Sequence, residues 1–168
     1  GMFIYPVPHT ASAAATISNS TISGNTSGTA IGGGYVNSPL TMSNSTVAFN
    51  SSSNGQCSGL FVQNSYSGFN HGGVSTFNSS ILSGNVSPGG VACDLQSYTS
   101  IYQGELYPQY TTTIGGSNNV IVATNNPPLN PLPPDTIAAD PLLSPLANNG
   151  GPTQTHALQA GSPAIDAG

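Results

Sequence analysis

The sequence contains neither lysine nor arginine. Its 168 residues carry five carboxylates and three histidines, so the formal net charge is -5 at pH 7 and only 3% of residues are charged, against roughly 25% in ordinary soluble domains. A surface without cations cannot neutralise phosphates, which excludes nucleic-acid binding by counterion release and attraction to an anionic membrane. Mechanisms that need an arginine clamp, a Schiff-base lysine or a phosphate-binding lysine are excluded as well.

Long apolar segments and cysteines are also scarce. No stretch approaches the roughly 20 apolar residues of a membrane-spanning helix, so we expect no membrane span, and the first residues lack the basic segment of a signal peptide. The two cysteines, Cys57 and Cys93, fit either one disulfide in an oxidising compartment or two small buried thiols. The sequence leaves these two states open.

Serine, threonine, asparagine and glycine make up nearly half of the chain, and 14 residues are proline. This composition is often seen in disordered segments. However, the 36% of hydrophobic residues fall into short runs that favour strands, at 16–17, 40–42, 60–62 and 120–122. We therefore expect a folded chain of about one domain.

One short motif recurs three times, as STISGN at 20–25, STVAFN at 45–50 and SILSGN at 80–85. Each copy follows a short strand-like segment and precedes a small-residue turn and a second run. A unit of about 25 residues with several short strands is typical of one coil of a parallel β-solenoid, in which repeats stack on their neighbours. The wider gap before the third copy predicts an inserted loop around 64–69.

Stacking of the copies predicts two ladders of equivalent side chains. Ile22, Val47 and Leu82 would form an aliphatic ladder in the core. Asn25, Asn50 and Asn85 would form a second ladder at a bend, because asparagine tolerates left-handed backbone angles and its amide can bond to the next asparagine along the stack.

The C-terminal third carries the most specific string, with DPLLSPLANNGGPTQTHAL at 140–158 and GSPAIDAG at 161–168. Together with the three motif copies and the glycine run at 32–34, it resembles the bacterial choice-of-anchor Q domain proteins, relatives of the polymorphic outer-membrane protein repeats. The resemblance covers residues 16–168. It implies a pectate-lyase-like, right-handed parallel β-helix on a secreted or cell-surface protein.

These observations predict an all-β chain in four parts. Residues 1–13 form an apolar N-terminal arm, and 14–124 form a short right-handed parallel β-helix of about three to four coils. In its last part, strands at 111–114 and 119–122 flank a turn at Gly115 and Gly116. Residues 125–135 form a proline-rich extended linker, and 136–168 form a compact C-terminal segment.

No pattern in the sequence predicts catalysis, a metal or a cofactor. Glycoside hydrolysis requires two carboxylates that lie close together in space, and the five acids are dispersed: Asp94, Glu105, Asp135, Asp140 and Asp166. A triad of His156, Ser162 and Asp166 lacks a nucleophile elbow, because Ser162 precedes a proline. The three histidines have no metal-ligand spacing. We expect His156 to bond a backbone carbonyl.

The apolar arm suggests self-association. Met2, Phe3, Ile4 and Tyr5 either cover the first coil of their own chain or dock on a neighbouring subunit by strand addition. Exposed end coils that accept one another head-to-tail would build a filament. We therefore interpret the chain as a non-catalytic, extracellular structural protein that forms a homo-oligomer, fibre or surface layer.

A second hypothesis is a carbohydrate- or surface-binding module of an adhesin-like protein. Four tyrosines lie close together in the sequence beside two glutamines, and aromatic faces with amides suit glycans. They are Tyr98, Tyr102, Tyr107 and Tyr110. The simpler interpretation, that these tyrosines cover the flank of a coil, is the preferred one.

Overall fold

The computed structural model describes residues 1–5, 14–28, 31–53, 57–63, 65–66, 69–70, 73–97, 101–102, 105–106, 112–124 and 131–167. Within these ranges the regular structure is β, apart from one 3-10 turn at Pro88–Gly90. Four sheets of four strands contain most of the strands. The expectation of an all-β chain is confirmed.

We name the four sheets A to D in the order in which the chain enters them. Sheet A consists of β1 (Met2–Ile4), β5 (Gly34–Val36), β9 (Leu60–Val62) and β16 (Leu95–Ser97). Sheet B consists of β2 (Ala15–Ser18), β6 (Leu40–Ser43), β12 (Val74–Asn78) and β19 (Thr113–Ser117). Sheet C consists of β3 (Thr21–Ser23), β7 (Thr46–Ala48), β13 (Ile81–Ser83) and β20 (Val120–Ile121). Sheet D consists of β4 (Thr26–Ser27), β8 (Ser51–Ser52), β14 (Val86–Ser87) and β15 (Val91–Ala92).

Strands within each sheet pair in chain order. Sheets A, B and C are parallel throughout. Sheet D is parallel from β4 to β14, and β15 then pairs antiparallel with β14. The chain passes through A, B, C and D in turn and then returns to A, so equivalent residues of successive repeats become neighbours across one sheet. The rest of each repeat serves as the crossover that parallel pairing requires.

Two short antiparallel hairpins interrupt this series. The first joins β10 (Ser65–Tyr66) to β11 (Phe69–Asn70) and lies where the longer third repeat predicts an inserted loop. The second joins β17 (Ile101–Tyr102) to β18 (Glu105–Leu106). Both follow a strand of sheet A and precede one of sheet B, so the insertions enter at the same point of the repeat.

A residue with left-handed backbone angles marks each bend between sheets B and C. These residues are Asn19, Asn44, Ser79 and Asn118, with φ from 47 to 56°. A second set marks the bend between C and D and consists of Gly24, Phe49 and Gly84, with φ of 67, 55 and 69°. The left-handed angle at this second bend therefore falls one residue before the ladder asparagines, at a position where glycine is the least strained choice.

The core lies between the sheets and is built from stacked side chains. In sheet C the pairing aligns Ile22, Val47 and Leu82, as predicted, and adds Ile121 as a fourth member. Val47, Leu82 and Ile121 are buried, and Ile22 at the end of the row packs partly against the core. Each fully buried aliphatic side chain contributes roughly 1.5–3 kcal/mol relative to an exposed one.

The predicted turn at Gly115 and Gly116 is wrong. Both glycines lie inside β19 and pair with Thr76 and Phe77 of β12. Gly116 has φ of 106°, and a Cβ there would lie 1.7 Å from the carbonyl oxygen of Phe77. The glycine therefore permits close backbone approach within the sheet, and the bend follows at Asn118.

The C-terminal segment, 136–167, contains isolated bridges instead of strands. Ile137 pairs with Val120 at the end of sheet C, and two antiparallel bridges, Leu143 with Leu158 and Ala147 with Thr155, fold the segment on itself. Of the proline-rich linker, residues 131–135 are described and contain a turn, and Leu132 packs against the core.

Candidate functional site

The three predicted ladder asparagines bond to one another in series. The backbone N–H and the side-chain Nδ2 of Asn25 both donate to Oδ1 of Asn50, at 3.0 and 2.9 Å. Asn50 repeats this pair of bonds to Oδ1 of Asn85, at 3.0 and 2.8 Å. Nδ2 of Asn50 also donates to the carbonyl of Ile22, and Nδ2 of Asn85 donates to that of Val47. The buried amides are thus satisfied along the stack, as buried polar groups require.

The asparagine ladder ends on Asp94, a residue that the spacing of the motif copies does not place in the ladder. Asn85 donates through N and Nδ2 to Oδ1 of Asp94, at 2.9 and 2.8 Å, and the N–H of Ala123 donates to Oδ2 at 2.9 Å. The residue is 1% exposed. Burial raises the pKa of Asp94. The hydrogen bonds from Asn85 and Ala123 offset only part of this increase, so the pKa stays above its ordinary value. A carboxylate suits this place because it accepts without donating.

A parallel ladder of serines runs along the bend between sheets B and C. The N–H of Ser20 donates to Oγ of Ser45, that of Ser45 to Oγ of Ser80, and that of Ser80 to Oδ1 of Asn119, at 3.1 to 3.4 Å. Asn119 then donates through Nδ2 to the carbonyl of Phe77. The serines open each copy of the sequence motif, so their equal position was the signal that could have identified this ladder.

Cys57 and Cys93 form a disulfide across 36 residues of sequence, with Cα atoms 5.0 Å apart. Both residues are fully buried. Each cysteine lies shortly before a strand of sheet A, and these strands, β9 and β16, pair with each other. Of the two states that the sequence left open, the structure therefore contains the disulfide, which links neighbouring repeats covalently.

His156 fastens the C-terminal segment to the repeats. Its Nδ1 donates to the carbonyl oxygen of Ser144 at 2.7 Å, as expected for a bond to the backbone, and its Nε2 lies 2.7 Å from Oγ of Ser23 in β3. Because the carbonyl can only accept, Nδ1 carries a hydrogen, and the Ser23 hydroxyl, which can donate or accept, pairs with Nε2. Both nitrogens are therefore engaged away from Ser162 and Asp166.

Phe49 lies beside this contact in an unusual backbone conformation. Its equivalents in the neighbouring repeats are glycines, whereas Phe49 holds φ of 55°, an outlier for a bulky residue. Its ring packs edge-on against His156, with centroids 5.0 Å apart, and a Cβ on Gly84 would lie 2.9 Å from the same ring. The contact with the C-terminal segment offsets the strain at this position.

An open cavity of about 360 Å³ separates the C-terminal segment from the repeats. Phe49, Leu142 and Val122 provide part of its apolar lining, and Asp94 and Asp140 also line it. Both Asp94 oxygens accept the bonds described above, and Oδ1 of Asp140 accepts from the N–H of Leu142. Among the described residues, no three His, Cys, Asp or Glu side chains are grouped as a metal site would require.

The N-terminal residues pair with their own chain. Met2, Phe3 and Ile4 form β1, which adds in parallel to β5 at the edge of sheet A, and Met2 and Ile4 pack against the core. Of the two dockings predicted for this arm, the structure contains the one within its own chain. Phe3 and Tyr5 turn outward and are 54% and 64% exposed.

Phe3 and Tyr5 belong to a row of outward-facing aromatic rings on sheet A, together with Tyr35 and Phe61, which we call the aromatic row. Phe3, Tyr35 and Phe61 are register partners in β1, β5 and β9. The Tyr35 ring centroid lies 6.3 Å from Phe3, 5.4 Å from Tyr5 and 5.4 Å from Phe61. The Tyr35 hydroxyl donates to Oε1 of Gln63 at 2.8 Å, and burial together with nearby Tyr5 raises the pKa of Tyr35.

The tyrosine cluster proposed from the sequence lies almost entirely outside the described residues. Tyr98, Tyr107 and Tyr110 lie outside the described residues, and only the backbone of Tyr102, in β17, is described. The aromatic row was missed because its rings come from three separate parts of the sequence, Phe3 with Tyr5, then Tyr35, then Phe61, which meet only when the strands of sheet A pair.

The two ends of the stack differ. At the C-terminal end, Ile137 covers β20, its N–H donates to the carbonyl of Asn119, and Oδ2 of Asp135 accepts from the N–H of Asn118. At the N-terminal end, the outer edges of β2, β3 and β4 have no strand partner among the described residues. The outer edge of β19, at the opposite end of sheet B, likewise has none within the described ranges.

Comparisons with family models, curated proteins and solved structures give no match to this chain. Across the residues that the structure describes, no helix has the length and apolarity needed to cross a bilayer.

Proposed function

We propose that residues 14–124 form a right-handed parallel β-helix of about four coils, of the kind found in the choice-of-anchor Q and polymorphic outer-membrane protein families. Three features support this assignment. The chain visits sheets A to D in a fixed order, equivalent residues pair in register, and insertions enter at one point of the repeat. The C-terminal strings at 140–158 and 161–168 support the family relationship.

The proposed function is that of a non-catalytic, extracellular structural protein, secreted or held at the cell surface. The observation that carries it is the pair of ladders of uncharged serine and asparagine side chains, whose first members, Ser20 and Asn25, flank β3 at the open end of the stack. Asparagine and serine repeat at equivalent positions without the repulsion that a repeated charge would create between neighbouring strands. The disulfide fits an oxidising compartment, and the absence of lysine and arginine leaves no trypsin site.

The open edges support head-to-tail association. In sheet B the N–H groups of Ala15 and Asn19 donate inward, to Pro39 and Ser43. Because alternate residues of a parallel strand bond to opposite sides, the N–H groups of Thr16 and Ser18 point outward. If the outer edge of β19 in one copy met β2 of the next, sheet B would continue in parallel, and repetition of this contact would form a filament.

A charge on the open edge tests this contact. Lysine on an edge strand blocks pairing with another strand, so we expect Thr16→Lys to weaken association at least tenfold. Thr41→Lys is the matched control, because Thr41 is the register partner of Thr16 inside the same sheet and both side chains are exposed. Light scattering over a concentration series and negative-stain microscopy would measure the effect.

The native chain and Thr41→Lys should form rods, and Thr16→Lys should remain monomeric. A native chain that stays monomeric at high concentration contradicts the proposal. Equal association of the two lysine variants would show that the contact does not use the edge of β2.

A further inference from the structure

The outward face of sheet A is a narrow row of rings with an amide border. Phe3, Tyr35 and Phe61 occupy the central positions of their strands, and Gln96 of β16 is the next register partner. Gln63 borders the row and bonds to the Tyr35 hydroxyl through its carbonyl oxygen, a contact that does not use its two amide hydrogens. We propose that this row binds the extended chain of a neutral polysaccharide.

The arrangement of the rings favours a linear polymer. Register partners succeed one another in the direction in which the strands stack, so the row of rings crosses three of the four strands of sheet A. Its centroids are 5.4 to 6.3 Å apart, a step similar to the length of one sugar residue. The rings are tilted by 39 to 76°, which suits a chain whose sugar faces turn from unit to unit.

Sugar rings combine an apolar face of C–H groups with hydroxyls around the rim. The apolar face packs on aromatic rings such as the exposed Phe3 and Tyr5, and the hydroxyls can bond to amides such as Gln63 and to the phenol oxygens. The same division between an apolar body and a polar tip makes tyrosine effective at partly wet surfaces.

Charge selects a neutral glycan over an acidic one. The chain has no lysine or arginine and a formal net charge of -5. Carboxylate or sulfate groups on a polysaccharide would find no cationic partner and would be repelled by the protein as a whole. No such penalty applies to a chain that carries only hydroxyls.

The area of the row argues against a second protein as the occupant. A stable protein interface buries about 800 Å² on each partner. A large aromatic side chain buries at most about 150–250 Å², and all four rings are already partly covered in this structure. One row of four rings therefore provides less surface than a dimer needs but enough for several sugar residues.

Titration calorimetry of the whole chain, with any purification tag at the C-terminus, tests the proposal. The probes are cellohexaose, mannohexaose and xylohexaose as neutral chains and hexagalacturonate as the acidic one. We expect at least one neutral hexasaccharide to bind and hexagalacturonate not to bind. Tyr5→Ala should weaken the binding about tenfold, the effect of losing one stacked ring, and Phe3→Ala combined with Tyr5→Ala should weaken it further.

Phe49→Ala is the control, because Phe49 is also exposed, at 46%, but lies against His156 on another face. The affinity of Phe49→Ala for the neutral hexasaccharide should equal that of the native chain. Circular dichroism should show that each variant keeps its β structure. Absence of binding to every neutral hexasaccharide would overturn the proposal, as would tighter binding of hexagalacturonate or an equal loss in Phe49→Ala. Sugar-free self-association that Tyr5→Ala abolishes would assign the row to a second copy instead.

Discussion

The repeat region, 14–124, and the C-terminal segment, 136–167, are stabilised by different kinds of contact. In the repeats, a side chain contacts its own equivalent one repeat away, as Asn50 does with Asn25 and Asn85. In the segment, contacts join unlike residues, as His156 joins Ser144 and Ser23. Removal of one contact in the repeats should therefore destabilise the neighbouring repeats as well. Removal of one contact in the C-terminal segment should destabilise only that segment.

Asn50→Ala should produce the largest effect. It removes the amide from the middle of the buried ladder. The N–H and Nδ2 of Asn25 lose their shared acceptor, and the backbone carbonyl of Ile22 and the side-chain Oδ1 of Asn85 each lose one donor. Since each unsatisfied buried group costs about 1–3 kcal/mol, we expect a loss of at least about 3 kcal/mol in the free energy of unfolding. Urea unfolding followed by circular dichroism would measure it.

Asn25→Ala is the matched control for this variant, because Asn25 occupies the half-exposed end of the same ladder and its backbone N–H still reaches Asn50. Its expected cost is about 1 kcal/mol. Equal losses in the two variants would show that the ladder stabilises the fold through single contacts and not as a stack.

His156→Ala should have an intermediate effect that remains within the C-terminal segment. It removes the bonds to Ser23 and Ser144 and the ring contact with Phe49, for an expected loss of about 1–2 kcal/mol. Hydrogen exchange should accelerate in residues 142–158 and remain slow in β7 and β13. Ser23→Ala combined with His156→Ala should cost little more than His156→Ala alone. Acceleration throughout the repeats would contradict the separation of the two regions.

Asp94→Asn should have the smallest effect and should change mainly the pH dependence. Burial raises the pKa of Asp94 above its usual 3.8. Between pH 3.8 and this raised pKa, the folded protein therefore binds more protons than the unfolded chain. The stability that Asp94 contributes is therefore complete below 3.8 and is lost as pH rises through the raised pKa. Asparagine carries no charge, so this decline should be absent in the variant.

The variant also loses one hydrogen bond, because Nδ2 of an asparagine would face the N–H of Ala123, at a cost of about 1 kcal/mol. The free energy of unfolding, measured from acidic to neutral pH, would separate this constant loss from the slope, which is the decline of that free energy with rising pH. Asp140→Asn, at an exposed carboxylate, should keep the slope of the native chain. An unchanged slope in Asp94→Asn would show that another group is responsible.

The two predicted ladders were accessible from the sequence because like residues recur at equivalent positions of the three motif copies, which implies stacking, and hydrogen bonds join Asn50 to both Asn25 and Asn85. Asp94 was not predictable in this way. It follows Asn85 by only nine residues, since the chain returns through the hairpin of β14 and β15 instead of completing a full repeat. A search at the period of the repeat passes over such a position.

Gly115 and Gly116 were misread for a related reason. Adjacent glycines usually mark a turn, but here the close backbone of β12 requires a residue without a side chain at 116. The contact of His156 with Ser23 spans 133 residues, and no local pattern could have paired them. Both cases depend on which backbone lies opposite, which is a property of the assembled sheets.

The β character of this chain, the order of its repeats and the members of its aliphatic and asparagine ladders follow from the sequence alone. These follow from short-range rules, namely the spacing of apolar residues, the backbone preferences of glycine and asparagine, and repetition. The points at which each ladder ends, the rings that share the face of sheet A and the strand edges that stay open depend on the folded chain. Such features arise where stacking stops, because repetition specifies the neighbours of an internal repeat and leaves those of the terminal repeats to the rest of the chain.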